Sequence, residues 1–198
     1  MNLQVQGADI YVSETGEGEP ILFLHGVPDS SEIWSDVVTR LETGFRCVAP
    51  DWPAFGRSGP GEWIDCSLDG HAEFVRDLAD GLGLSEPFYL VGHDFGGISA
   101  MAFTSKYPDR VKRLAISNAP FSPDYHWHLW ARIWQTPRLG EFSMLTMNRV
   151  AFNLTLKAAS KKLTKQHMQD AYRFVDRDIK RMILRMYRAM PPEGWIEW

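Results

Sequence analysis

The run Tyr89-Leu90-Val91-Gly92-His93-Asp94-Phe95-Gly96-Gly97 constrains this chain more than any other segment. A short apolar stretch bounded by glycine reads as a buried strand. The residues after Gly97 carry a helical pattern to about Lys106, with Pro108 as a stop. Between strand and helix, one polar side chain, Asp94, has small residues two before and two after it. Glycines at 92 and 96 permit a crowded turn that lifts Asp94 above the sheet, and the N–H groups opening the helix aim at it.

The rest of the first 118 residues alternates short β-branched or aromatic runs with amphipathic stretches, as strand–helix–strand units do, and so implies a parallel sheet. Strands are expected over residues 3–6, 8–13, 21–24, 45–49, 88–91 and 113–117, with a Gly16-Glu17-Gly18 turn after the second. Ser30 or Ser31 can cap a helix running to Leu41, and residues 68–82 carry apolar side chains at helical spacing. After Asn118 the pattern changes. Pro120 and Pro123 punctuate a segment holding Trp127, Trp130 and Trp134, and the remainder to Tyr187 reads as helices, closed by Pro191-Pro192. The expected organisation is a core over residues 1–118 and a helical unit over 119–198. The apolar faces of that unit place it over the end of the sheet where the strand-to-helix loops gather.

A chain of 198 residues that is 44% apolar and 23% charged holds enough material for one globular core. Its net charge of −4 is spread along the chain without a long basic block, so neither nucleic acid nor an anionic membrane is the expected partner; a small neutral molecule is. The longest apolar runs fall far short of the roughly 20 residues that cross a bilayer. Cys47 and Cys66 match no metal-binding spacing, and the N-terminus lacks a charged-then-apolar signal, which together point to a reducing cytoplasm.

Asp94 reads as a nucleophile. A carboxylate is ionised at neutral pH and needs no base to attack an sp3 carbon, forming an alkyl ester. The alternative is a helix-capping aspartate in an ordinary strand-to-helix turn. The second segment, His25-Gly26-Val27-Pro28, follows a buried strand and places the Val27 N–H beside the Asp94 turn. With the Phe95 N–H it would form an oxyanion hole for the charge that develops when water attacks the ester. The His25 side chain reads as structural before catalytic. In the third segment, Asp51-Trp52-Pro53-Ala54-Phe55-Gly56-Arg57-Ser58-Gly59, Asp51 and Ser58 can satisfy local backbone groups and Gly56 can take a positive φ, an architectural role.

These three segments, in this order over residues 21–118, resemble the Asp-nucleophile α/β-hydrolases, the group of epoxide hydrolases and haloalkane dehalogenases. The resemblance implies an α/β fold with an α/β-hydrolase core, a mostly parallel sheet of eight strands, a helical cap after the sixth, and no cofactor or metal. It implies a small apolar electrophile as substrate, with His25, Pro28, Tyr125 and Trp127 as contacts. It also implies a catalytic histidine and a supporting acid on later loops. None of the six histidines at 25, 71, 93, 126, 128 and 167 fits that base. The last core strands would then be missing, and the chain is expected to be a truncated form that is alkylated without turning over and has an open sheet edge.

An opened epoxide is an alkoxide that must be protonated, whereas a halide needs only N–H donors. Val27 and Phe95 stand where dehalogenases of this group carry Asn or Trp donors, and neither side chain donates. Phe95 and Ile98 likewise replace the arginines of haloacid-cleaving relatives. Leu184-Arg185-Met186-Tyr187-Arg188 resembles the end of the epoxide hydrolase cap, which makes Tyr187 the expected ring-opening acid. Tyr125 is the candidate second tyrosine, and Trp127 an alternative halide-facing donor. The function implied is epoxide hydrolysis to a diol. Haloalkane dehalogenation, or a non-catalytic ligand-binding relic, are the alternatives.

Overall fold

The computed structural model describes residues 1–120, 122, 125–159 and 162–190. It opens on a hairpin, β1 (Asn2–Val5) and β2 (Ala8–Thr15). Gln6 and Gly7 join them with φ of 48° and 81°, and a two-residue loop with both φ positive can only return the chain antiparallel. The sheet is mixed and mostly parallel, as expected, with the antiparallel pairing at the β1–β2 end. The parallel part comprises β3 (Glu19–Leu24), β4 (Phe45–Pro50), β5 (Phe88–His93) and β6 (Val111–Ser117). The strand order is β1-β2-β4-β3-β5-β6.

The run at 21–24 is continuously apolar because both faces of β3 are covered. Leu22 and Leu24 join the larger core, whereas Ile21 and Phe23 pack with Trp34, Cys47 and Ala49 on the other face. That second face lies under a 3-10 turn (Ser31–Trp34) that runs into α1 (Ser35–Leu41). The Ser30 hydroxyl caps the turn, accepting from Glu32 N at 3.4 Å. The expected single helix begins as 3-10 structure, with the Ser31 N–H donated at 2.6 Å to the Asp51 carboxylate. On the larger face, α2 (Leu68–Gly81), capped by Ser67, packs against the almost wholly buried α3 (Phe95–Lys106).

From β3 the chain steps outward to β4, then crosses back over β3 to reach β5. The loops leaving β3 and β5 consequently sit side by side at the carboxyl ends of adjacent strands, on either side of the point where the winding reverses. Open α/β sheets bind ligands at such a point.

Among the described residues, five helices follow β6: α4 (Leu129–Gln135), α5 (Leu139–Thr146), α6 (Arg149–Ala159), α7 (Lys165–Arg173) and α8 (Arg177–Ala189). In α8, Ile179, Met182, Ile183, Met186 and Tyr187 fall on one face and are buried, and Asp176 caps the helix by accepting from Asp178 N and Ile179 N. Arg185 ties α8 to the loop after β4, donating to Ile64 O at 2.5 Å and Gly61 O at 3.1 Å. Other apolar residues of the helices stay open to solvent, Leu145 at 84% and Val150 at 68% among them. At the edge of the described sheet, β6 is exposed along most of its length. Pro191-Pro192, expected to close the last helix, lie outside the described residues. Among the described residues, no helix is long and apolar enough to cross a membrane.

Burial separates two leucines of the same size. Leu90, fully buried in β5, is expected to cost about 2–5 kcal/mol when replaced by alanine. Leu129, 69% exposed, is expected to change stability by less than about 0.5 kcal/mol. Urea unfolding of Leu90→Ala and Leu129→Ala checks the pair.

Candidate active site

The turn between β5 and α3 holds Asp94 at φ 53° and ψ −122°, a conformation that costs a residue with a Cβ on the order of 1–3 kcal/mol. Contacts on every side hold it there. The Asp94 N–H donates to Ser117 O on β6 at 3.1 Å. A Cβ on Gly92 would stand 2.4 Å from Gly96 O, and one on Gly96 2.1 Å from Leu24 O. From the other strand, a Cβ on Gly26 would stand 2.4 Å from the Asp94 Cβ. Side chains are thus excluded at all three positions.

Asp94 occupies the N-cap position of α3 without making a side-chain capping bond. Its Oδ1 instead accepts from Val27 N at 3.0 Å, and the Phe95 N–H also bonds the carboxylate. Burial raises the Asp94 pKa, and the N–H groups of Val27 and Phe95 oppose that rise by favouring the anion. The two backbone donors named from sequence therefore meet on one carboxylate. The Val27–Pro28 peptide is cis, and Asp29 N closes the turn onto Gly26 O at 3.1 Å.

Aromatic side chains stand over this point. The Tyr187 ring, 3% exposed, lies edge-on to Phe95 with centroids 4.8 Å apart, and it contacts Trp127 at 5.5 Å and Trp134 at 4.9 Å. Trp127 stacks on Phe95 at 6.3 Å, and Tyr125 packs edge-on to Trp127 at 5.3 Å. Burial pushes both tyrosine hydroxyls above their ordinary value, and the charge of Asp94 adds to each shift. The structure thus brings Tyr187, Tyr125 and Trp127 to the side of the sheet that Asp94 faces. Trp134 joins them, which the sequence signalled only as one of a Trp-rich run.

His25 is placed differently from the substrate contact implied by resemblance. It is fully buried, its Nε2 accepts from Trp52 N at 3.0 Å, and its Nδ1 donates to Gly26 O at 2.8 Å. Both nitrogens serve the backbone, so a polar contact to a substrate is closed to it. Asp51 likewise organises backbone, accepting from Ser31 N and, at 2.8 Å, from Arg57 N. Gly56 has φ +55° against that carboxylate, where a Cβ would come within 2.1 Å, and Ser58 Oγ donates to Asp51 O at 2.7 Å. Sequence reasoning passed over Asp29, a second acid directly after Pro28 that lies within electrostatic reach of Asp94. Among the described residues, no group of three or more His, Cys, Asp or Glu could hold a metal ion.

Residues 19–186 match the family model described as alpha/beta hydrolase fold. The chain belongs to that family. Within the hydrolase fold, it is 32% identical over 194 residues to a haloalkane dehalogenase of Mesorhizobium japonicum, covering 93% of this chain and 62% of that protein. It is 31% identical over 152 residues to an epoxide hydrolase of Caballeronia sordidicola, covering 75% of this chain and 45% of that one. The chain thus spans about half the length of the curated relatives it matches. The structure superposes on Cfl2 of Burkholderia cenocepacia with a TM-score of 0.84 at 27% identity, covering 99% of this chain and 72% of that one.

Burial lowers the pKa of His25 and of His71 to about 4. Both are neutral in the folded chain at a pH where the unfolded chain takes up protons, so their contribution is complete above about pH 6.5 and is lost as pH falls towards 4. Urea unfolding across that interval is expected to show a loss on the order of 3 kcal/mol per histidine, and His71→Gln to flatten the curve.

Proposed function

We propose that this hydrolase-fold chain opens epoxides by nucleophilic attack of Asp94, forming a covalent alkyl ester, with residues 119–198 acting as the cap over the site. One observation carries the reading. Asp94 sits in a strained conformation at a helix N-terminus, yet its carboxylate does no capping and receives the N–H groups of Val27 and Phe95 instead. A helix-capping role would leave the strain unexplained.

In the first step, Asp94 forms a C–O bond to an epoxide carbon as the ring C–O bond breaks. The ring oxygen leaves as an alkoxide and takes the Tyr187 proton. Because burial and the charge of Asp94 raise the Tyr187 pKa, its phenol stays protonated at neutral pH and available as a donor. In the second step, water attacks the ester carbonyl, and the Val27 and Phe95 N–H groups hold the charge that forms on oxygen. Apolar lining by Phe95, Trp127 and Tyr187 suits a small apolar electrophile. The free, buried Cys47 and Cys66 accord with a reducing cytoplasm.

That second step needs a base. His25 spends both ring nitrogens on the backbone. The His128 Nδ1 accepts from Ala131 N at 3.1 Å, which leaves its Nε2 as a donor. The His71 Nδ1 is held by Ser99, and the His93 ring lies edge-on to Trp34. The ester on Asp94 is therefore expected to persist.

Haloalkane dehalogenation is the second reading, favoured by the Mesorhizobium japonicum relative that matches over 93% of this chain. It would place the Trp127 indole beside the departing halide. Val27 and Phe95, whose side chains cannot donate, weigh against it.

Intact mass after incubation with a panel of epoxides and chloroalkanes separates the readings. An adduct that maps to Asp94 and vanishes in Asp94→Asn is expected with epoxides. Tyr187→Phe is expected to slow that alkylation about 10²-fold or more. An adduct formed only by chloroalkanes would favour dehalogenation, and none with any compound, on folded protein, would remove the enzymatic reading.

A further inference from the structure

Two pairs of consecutive residues meet where α4 and α8 end, Trp134-Gln135 and Tyr187-Arg188, and each pair serves the other. The Gln135 amide donates to Tyr187 O at 3.1 Å and to Met190 O at 3.4 Å. A helical carbonyl takes its hydrogen bond from the N–H four residues on, and residue 191 is a proline, which has none. Gln135 thus supplies the donor that the sequence withholds from Tyr187. In return, Arg188 Nε donates to Trp134 O at 3.1 Å, and the two terminal nitrogens of Arg188 hold the Glu141 carboxylate at 2.8 and 2.9 Å. The Trp134 ring packs on the Tyr187 ring with centroids 4.9 Å apart. Its indole N–H is buried without a hydrogen-bond partner among the described residues, so packing and the Trp134 carbonyl locate that ring.

The first turn of α5 makes way for this contact. A Cβ on the buried Gly140 would stand 2.8 Å from Trp134 O, 2.9 Å from Leu184 Cδ2 and 3.0 Å from Arg188 Nη2. The bare Cα lets three helices meet around one carbonyl.

We propose that Gln135 and Arg188 are positioning residues for Tyr187, fastening α4 to α8 so that the phenol keeps one place against Phe95. The inference rests on the epoxide reading, in which the ring oxygen takes the Tyr187 proton as Asp94 attacks carbon. The Tyr187 ring touches Phe95 of the core at 4.8 Å and Trp134 of α4 at 4.9 Å, so the join between the two helices sets where the hydroxyl lies. A misplacement of about 1 Å can cost a reaction on the order of 10²-fold. The donor works only as the ring opens, so loosening the join lowers the saturating rate and leaves the half-saturating epoxide concentration in place.

Two measurements test this on the full chain. The first needs no substrate: NMR contacts between the Trp134 and Tyr187 ring protons, in protein with labelled aromatic side chains. They are expected in the wild type and should weaken in Gln135→Met, in Arg188→Met and in Gly140→Ala, the last of which removes no hydrogen-bonding group. Arg188→Lys, which can still donate to Trp134 O, should keep them. Ring contacts unchanged in the first three variants would overturn the proposal. The second measurement is the rate of Asp94 alkylation against epoxide concentration. Gln135→Met and Gly140→Ala are each expected to lower the saturating rate about tenfold, with less than about a twofold change in the half-saturating concentration. In a Tyr187→Phe background, Gln135→Met should add no more than about twofold. A full tenfold loss there would show Gln135 acting on the fold at large and refute the positioning role. If Gln135→Met does not fold, Arg188→Met against Arg188→Lys carries the same comparison. Equal alkylation rates in Tyr187→Phe and the wild type, or no adduct at all, would sink the reading of Tyr187 as the acid, and the positioning role with it, even where the ring contacts behave as expected.

Discussion

The site depends on how closely the turn after β3 approaches the turn after β5. Parallel neighbours in a sheet hold their backbones under 5 Å apart, and here the two loops leave the sheet from adjacent strands at the point where the winding reverses. No room remains between them for side chains at Gly26, Gly92 or Gly96. That contact fixes the backbone conformation of Asp94, turns its carboxylate away from capping, and brings the N–H of Val27 from a strand far away in sequence. Precision of this kind comes from the sheet. The donors belong to backbone held by β3, β5 and α3, so in the proposed reaction they would need no reorganisation when charge appears between them.

Those features were legible because glycine spacing encodes them directly. A small residue two before and two after a polar one is a local signal, and so are the apolar strand before it and the helix behind it. The parallel strands β3 to β6 were likewise visible as short apolar runs. The reversal at Gln6-Gly7 fits the expected mostly parallel sheet, since two strands separated by so short a loop have one geometry available. Ser30 could be recognised as a cap, but that Asp51 would take the Ser31 N–H depends on a loop 20 residues later.

The chemistry of the site was readable only in part, for a different reason. Residue type and local motif point to Asp94, Val27 and Phe95, but not to the surroundings that decide what Asp29 or His25 does. His25 looks available in a turn motif and is enclosed by Trp52 and Gly26. Asp29 looks like an ordinary turn acid, yet burial and the charge of Asp94 raise its pKa. Long-range burial, which no local pattern carries, separates these outcomes.

The anchoring of α8 divides the site into two mechanical parts. Tyr187 rides on a helix fastened by Arg185 to the carbonyls of Gly61 and Ile64, whereas Asp94 is fixed by the sheet beneath. Sequence drift in the 61–66 loop would therefore shift the Tyr187 phenol over Phe95 without disturbing the carboxylate or its donors. On the proposed reaction, such a scaffold could change which electrophile it accepts while keeping the same attacking group, and its selectivity could evolve from residues that never touch a substrate.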